Sequence, residues 1–210
     1  MTTLGILGAG DVARALAGGW IAAGHTVVIG SRRPERGDWP EEVRVAGLAE
    51  AAEAGEVVVN ATPGRDSVGI LAPLRRHLAG KVLIDVANAV ELGPDGFATA
   101  LVHPATSLAE TIQAALPETR VVKTLNTMGP ASVMADPARL STNPAVFVSG
   151  DDAAAKATVT ELLSDLGWRP EWVLDLGDLT TARVPEAFVL MVRPLFGALG
   201  PVPFGLAVAR

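Results

Sequence analysis

Residues 4–20 read Leu4-Gly5-Ile6-Leu7-Gly8-Ala9-Gly10-Asp11-Val12-Ala13-Arg14-Ala15-Leu16-Ala17-Gly18-Gly19-Trp20, and residues 24–33 read Gly24-His25-Thr26-Val27-Val28-Ile29-Gly30-Ser31-Arg32-Arg33. The first stretch opens as a short apolar run closed by glycine, which fits a buried parallel strand over 3–8. From Asp11 the period changes. Val12, Leu16, Trp20 and Ala23 recur every three or four positions, and Gly24 stops the helix. A second apolar strand follows at 26–30. Strand, glycine turn, helix and strand make a βαβ unit, with two arginines at the end of its second strand.

The rest of the chain extends that unit. Strands are expected at 43–46, 56–62, 81–87, 120–125, 145–149 and 172–176. Helices are expected at 48–54, 67–78, 106–115, 151–166 and 179–199. Residues 88–104 read as irregular, because Gly93, Pro94, Gly96 and Pro104 are scattered through them. Alternating strands and helices predict an α/β fold of the Rossmann type: a doubly wound, mostly parallel sheet with a short C-terminal α/β extension. Residues 1–140 form the dinucleotide domain in this reading. Residues 141–210 are too short for an independent domain and extend the sheet.

Composition narrows the function classes. Of 210 residues, 49% are hydrophobic and 19% charged, so a substantial core is expected. A net charge of -6 argues against a nucleic-acid surface. Cysteine and tyrosine are both absent, which excludes disulfides, thiol nucleophiles, Cys-ligated metals and a Tyr–Lys acid/base pair. No metal site is assigned. There is no secretory leader pattern and no apolar run of about twenty residues, so the expectation is a soluble, cytoplasmic protein without membrane contact.

The glycine turn, Gly8-Ala9-Gly10-Asp11-Val12-Ala13, has the form G-x-G-x-x-A. Gly8 permits the tight turn, Gly10 lets a pyrophosphate approach the backbone, and Ala13 keeps helix and strand close. Amides at the helix start then face the phosphates. At the end of the second strand an NAD site places an acid for the ribose hydroxyl. This chain instead has Ser31, Arg32 and Arg33, with Arg36 one turn on. Guanidinium groups suit a phosphate dianion, so the cofactor is read as NADP(H). Open α/β sheets bind at the carboxyl ends of their strands, so Asn60–Gly64, Val86–Val90 and Lys123–Gly129 should face the same ligand.

On these segments the chain resembles the F420H2:NADP oxidoreductase family, the NADPH-dependent F420 reductases. The matching residues are Gly8-Ala9-Gly10, Ser31-Arg32-Arg33 with Arg36, Thr62-Pro63, Asn126-Thr127-Met128 and Gly150-Asp151-Asp152. The same module is found in STEAP-type metalloreductases. The resemblance implies NADP on Ala9, Gly10, Asp11 and Val12, with its 2′-phosphate on Ser31, Arg32 and Arg36. It implies Thr62, Pro63 and Asp66 on the nicotinamide side, with Asn88 nearby. It implies a deazaflavin, coenzyme F420 or similar, in a cleft between Asn126-Thr127-Met128 and the C-terminal segment. It also implies a homodimer built in part by that segment. Gly64 and Asn126 depart from the family pattern, both on the substrate side.

Hydride passes directly between a nicotinamide and a deazaflavin, so no catalytic side chain is assigned. Reduction of a ketone or imine instead needs a nearby proton donor, for which Lys123 and Asp66 are the candidates. The competing readings are a small NADPH-dependent reductase of a flavin, quinone, imine or ferric chelate, and a non-catalytic NADPH sensor.

Overall fold

The computed structural model describes residues 1–35, 39–129 and 131–209. In chain order the elements are β1 (Thr3–Leu7), α1 (Asp11–Ala22), β2 (Thr26–Gly30), β3 (Arg44–Ala46), α2 (Leu48–Ala54), β4 (Val57–Asn60), α3 (Ser67–Leu71), α4 (Arg75–Leu78) and β5 (Val82–Asp85). There follow β6 (Val90–Leu92), β7 (Ala98–Leu101), α5 (Leu108–Ala115), β8 (Arg120–Lys123), α6 (Ala131–Ala135), β9 (Val146–Ser149), α7 (Ala153–Asp165), β10 (Val173–Gly177), α8 (Arg183–Ala187) and α9 (Val192–Leu199).

Eight strands form one sheet in the order β10-β9-β8-β5-β4-β1-β2-β3. Neighbours are parallel except β8 and β9, which meet antiparallel at Lys123 and Ser149. This is the doubly wound α/β fold read from the sequence, and β9 and β10 join the same sheet. Strand order reverses between β1 and its neighbours β2 and β4, so a crevice opens at their carboxyl ends.

Each face of the sheet carries a layer of helices. One packs on α1, α6 and α7 around the buried Trp20 and Trp168. Both indoles donate to carbonyls of helices in the same layer: Trp20 Nε1 to Leu162 O of α7 at 3.0 Å and Trp168 Nε1 to Met134 O of α6 at 2.9 Å. These bonds satisfy the two polar atoms of the largest core side chains and fix how α6 and α7 sit. The other face packs on α2 to α5 around Leu71, Leu78 and Leu108. There Lys81 Nζ donates to Ala52 O, Glu53 O and Gly55 O at 2.7, 2.8 and 2.7 Å, satisfying the C-terminal carbonyls of α2.

Helix α6 is not expected from the sequence, and three further segments differ from the form expected of them. Residues 88–104 contain a hairpin, β6–β7, whose ends face solvent and whose apolar pattern is too weak to read. The helix expected at 67–78 tightens to a 3-10 turn at Ala72–Leu74, because Pro73 has no amide to donate. The helix expected at 179–199 is four short pieces, two of them 3-10 turns at Leu179–Ala182 and Phe188–Met191. Asp152 caps α7 as its sequence suggests, accepting from Ala155 N at 2.7 Å, whereas Asp151 accepts from Leu179 N at 2.9 Å.

The chain end returns to the sheet. Phe204 bridges Gly129 and Leu206 bridges Ala145, both antiparallel. Among the described residues, no helix is long and apolar enough to cross a membrane.

Candidate functional site

A cleft of 780 Å³ opens over the carboxyl ends of β1, β2 and β4, lined by Gly8–Val12, Gly30–Arg33 and Ala61–Pro63, with Leu48 and Ile70 on its wall. Gly8 has φ +126°, and a Cβ there would lie 2.3 Å from Ala61 O, so glycine is required by both conformation and contact. A Cβ at Gly10 would meet nothing within 4 Å, so open space stands over the start of α1. Ala13 is fully buried between helix and sheet, as the third position of the motif requires.

The turn after β2 is ordered by its own serine. Ser31 Oγ accepts from Arg33 N at 3.0 Å, which leaves the hydroxyl proton to donate outward. Arg32 and Arg33 are exposed, and among the described residues neither forms an ion pair. A glycine cradle, a helix N-terminus and two unpaired guanidinium groups at one cleft fit the pyrophosphate and the ribose phosphate of NADP. Arg36, the fourth member of that set, lies outside the described residues.

Behind the cleft runs a row of polar residues that the sequence reading did not assemble. Asn60, Asp85, Lys123 and Ser149 are in register across β4, β5, β8 and β9. Asn60 Oδ1 accepts from the Thr62 hydroxyl at 2.6 Å and from Thr62 N at 3.2 Å. Its amide donates to Asp85 Oδ1 at 2.8 Å and to Ser67 Oγ at 3.1 Å. Thr62, on the cleft wall, is thereby locked by a fully bonded interior network.

The row includes Lys123, which is 1% exposed. Its ammonium contacts Asp85 Oδ2 and Glu186 Oε1, each at 2.9 Å, and donates to Ala87 O. An ammonium has three N–H donors, and three acceptors engage them. Burial pulls the Lys123 pKa down, but the charges and hydrogen bonds of Asp85 and Glu186 outweigh it and hold the group above the ordinary lysine range. Two carboxylates on one cation leave a surplus negative charge. The N-terminus of α5 meets it, with Leu108 N and Ala109 N donating to Glu186 at 2.7 and 3.2 Å.

Asn88 and Asn126 are brought together. Asn88 Nδ2 donates to Asn126 O at 2.9 Å, and Asn126 Nδ2 donates to Asn88 Oδ1 at 3.0 Å. The turn between them and Lys123 holds the buried Leu125 at φ 61°, a left-handed conformation costing about 1–3 kcal/mol for a bulky residue. Thr127 and Met128 are buried beside it. Phe204 covers the turn, exchanging bonds of 3.2 and 2.7 Å with the Gly129 backbone. Its ring meets that of Phe188 edge-on at 6.5 Å.

Of the residues singled out from sequence, Gly8, Ala9, Gly10, Asp11, Val12, Ser31, Arg32, Arg33, Thr62 and Pro63 line one cleft. Asp66 stands exposed in the 3-10 turn Gly64–Asp66 that follows, its amide bonded to Pro63 O at 2.9 Å. Gly64 is not a gap on the substrate side. It is buried, and a Cβ there would lie 2.2 Å from Asn88 O. Sequence reasoning put Asn60 at a ligand-facing strand end but missed Asp85, Ser67 and Glu186. Asp85 was findable, since it closes an otherwise apolar strand (VLID) and so stands at the ligand end of the sheet. Glu186 carried no such signal.

Fold and site together define an NADP(H)-binding α/β protein. The chain belongs to the family of coenzyme F420-dependent NADP oxidoreductases. The family model described as "NADP oxidoreductase coenzyme F420-dependent" matches residues 3–89. A solved structure of a candidate F420-dependent NADP reductase from Arthrobacter sp. FB24 is 43% identical, covers 100% of both chains and superposes with a TM-score of 0.92. Metalloreductase STEAP3 of Rattus norvegicus is 35% identical over 98% of this chain, which spans 40% of that protein's length. The F420-dependent NADP reductase of Methanocaldococcus jannaschii is 28% identical over 80% of each chain.

Proposed function

We propose that the protein transfers hydride between NADPH and a deazaflavin of the coenzyme F420 kind. NADP rests on Gly8, Ala9, Gly10, Asp11 and Val12, with its 2′-phosphate on Ser31, Arg32, Arg33 and Arg36. Thr62, Pro63, Asp66 and Asn88 stand toward the nicotinamide. Asn126, Thr127 and Met128 border the acceptor, with residues 141–210 completing that cleft and contributing to a homodimer. The exposed Met191, Phe196, Leu199 and Val202 of the C-terminal segment support such an interface.

The observation that carries this reading is Lys123. All three N–H donors of its ammonium are engaged and the group is shut from solvent, so it delivers no proton to a substrate. Hydride exchange between two rings needs no such donor, whereas imine or ketone reduction does and would have to draw on the exposed Asp66, the other candidate. The bound rings supply the redox chemistry. The chain's part is to hold their phosphates, fix Thr62 and the Asn88–Asn126 pair, and exclude water.

The likeness to a metalloreductase favours a second reading, transfer to a flavin or ferric chelate. The test is NADPH absorbance in the presence of purified protein and a panel of F420, FMN, riboflavin, quinones, imines and ferric chelates. Rapid oxidation with F420 and slow oxidation elsewhere is expected. Faster oxidation with flavin or ferric chelate would move the assignment to the second reading. NADPH binding with no turnover on any acceptor would make the protein a sensor.

A further inference from the structure

Three segments meet at one buried ammonium. Lys123 belongs to the strand that leads into the acceptor-side turn. Its bonds to Asp85 and Ala87 O hold the end of β5, immediately before Asn88. Its bond to Glu186 holds α8, immediately before Phe188, whose ring touches Phe204 over Gly129. The nicotinamide side, the acceptor side and the covering C-terminal segment therefore share a single anchoring charge.

We propose that Lys123 and Glu186 are positioning residues for hydride transfer, fixing the spacing between the Asn88 loop and the Asn126–Gly129 turn and seating the Phe204 segment over that turn. The inference rests on the functional reading above. Neither side chain touches a substrate. They act through Asn88, Asn126 and Phe204, so a small slip at the hub displaces the two reacting rings relative to each other. Among the described residues, no bond of the Lys123 ammonium reaches the outer part of the NADP cleft, Gly8–Val12 and Ser31–Arg33, which should be indifferent to the hub.

The experiment uses Glu186→Gln in the full chain. This keeps the side chain's shape and one of the two oxygens that accept from Leu108 N and Ala109 N, and it removes the charge facing Lys123. Three quantities are measured: NADPH affinity by fluorescence titration, kcat with F420, and hydrogen exchange at the Gly129 and Phe204 amides. The expected result is affinity within about twofold of wild type, kcat lowered about tenfold or more, and exchange accelerated about tenfold or more. A folded variant with unchanged exchange at Gly129 and Phe204 overturns the inference, whatever its kcat. If the wild type does not oxidise NADPH with F420, the functional reading fails separately, and exchange alone decides whether the hub seats the cover. Should Glu186→Gln not fold, Glu186→Asp keeps the charge, shortens its reach by one methylene and is read by the same three measurements.

Discussion

Asn88 and Asn126 hold each other by two bonds, from Asn88 Nδ2 to Asn126 O at 2.9 Å and from Asn126 Nδ2 to Asn88 Oδ1 at 3.0 Å. The first lies beyond β5 and the second beyond β8, so this pair closes the end of the sheet where the two reactants are proposed to meet. Removing the Asn88 side chain breaks both bonds, whereas removing that of Asn126 breaks only the one to Asn88 Oδ1, because the other uses the Asn126 backbone carbonyl. Asn88→Ala and Asn126→Ala should each cost about 1–2 kcal/mol of stability. The double variant should cost less than their sum, with a coupling energy above about 0.5 kcal/mol in denaturant titrations. Additive losses would mean that the two amides act independently.

The exposed turn at Ser31–Arg33 makes cofactor choice a matter of charge. Arg32→Ala should weaken NADPH binding by about 1.5–3 kcal/mol while leaving NADH binding nearly unchanged. The difference should shrink as salt is raised, because the guanidinium is in solvent. Titration of both dinucleotides at two ionic strengths checks this. A wild-type protein that binds NADH as tightly as NADPH would contradict the phosphate assignment.

Gly64 is a packing requirement. A Cβ at that position would stand 2.2 Å from Asn88 O and 2.3 Å from Asn88 C, both of them backbone atoms. Backbone yields less readily than a flexible side chain, so Gly64→Ala should destabilise the protein by about 1–3 kcal/mol. It should also disturb Asn88, and hence the pairing with Asn126. The denaturation midpoint gives the first effect, and hydrogen exchange at residues 88–90 gives the second.

Glu110 supplies a pH signature. Hydrogen bonding from Arg183, at 2.9 and 2.6 Å, is the main cause of a carboxyl pKa lowered to about 2, with Ser107 adding to it and burial opposing. A folded-state pKa below the unfolded value means that the stabilisation is complete above the unfolded carboxylate range. It is lost as pH falls through the window from 4.5 to about 2. Glu110→Gln should therefore lower stability at neutral pH and flatten its fall across that window. Urea midpoints between about pH 2 and pH 7 measure this, and an unchanged acid limb would refute it.

The dinucleotide half of this protein is written locally. Gly8, Gly10 and Ala13 act through backbone conformation and close approach within a dozen residues. Ser31, Arg32 and Arg33 act through charge at a strand end, so their meaning survives without knowledge of the fold. The doubly wound sheet was legible for the same reason, since strand and helix periods are local properties. The hairpin at 90–101 was not, because its strands face solvent and carry little alternation. The breaks after Ala182, Ala187 and Met191 were hidden by a continuous apolar pattern.

Tertiary structure alone decided the interior of the site. Asn60, Asp85 and Lys123 each stand in the sequence as a polar residue within an apolar strand, and only the register of β4, β5 and β8 puts them side by side. Glu186 lies in a short helix far along the chain, and nothing in its neighbours marks it as buried. It is drawn in because Lys123 and the N-terminus of α5 together offset the cost of burying its charge. Lys123 stood in the sequence as a possible proton donor, and the fold made it an anchor by occupying all three of its N–H groups. Which atoms an ammonium meets depends on contacts between distant segments, and those are set only when the sheet and its C-terminal cover come together.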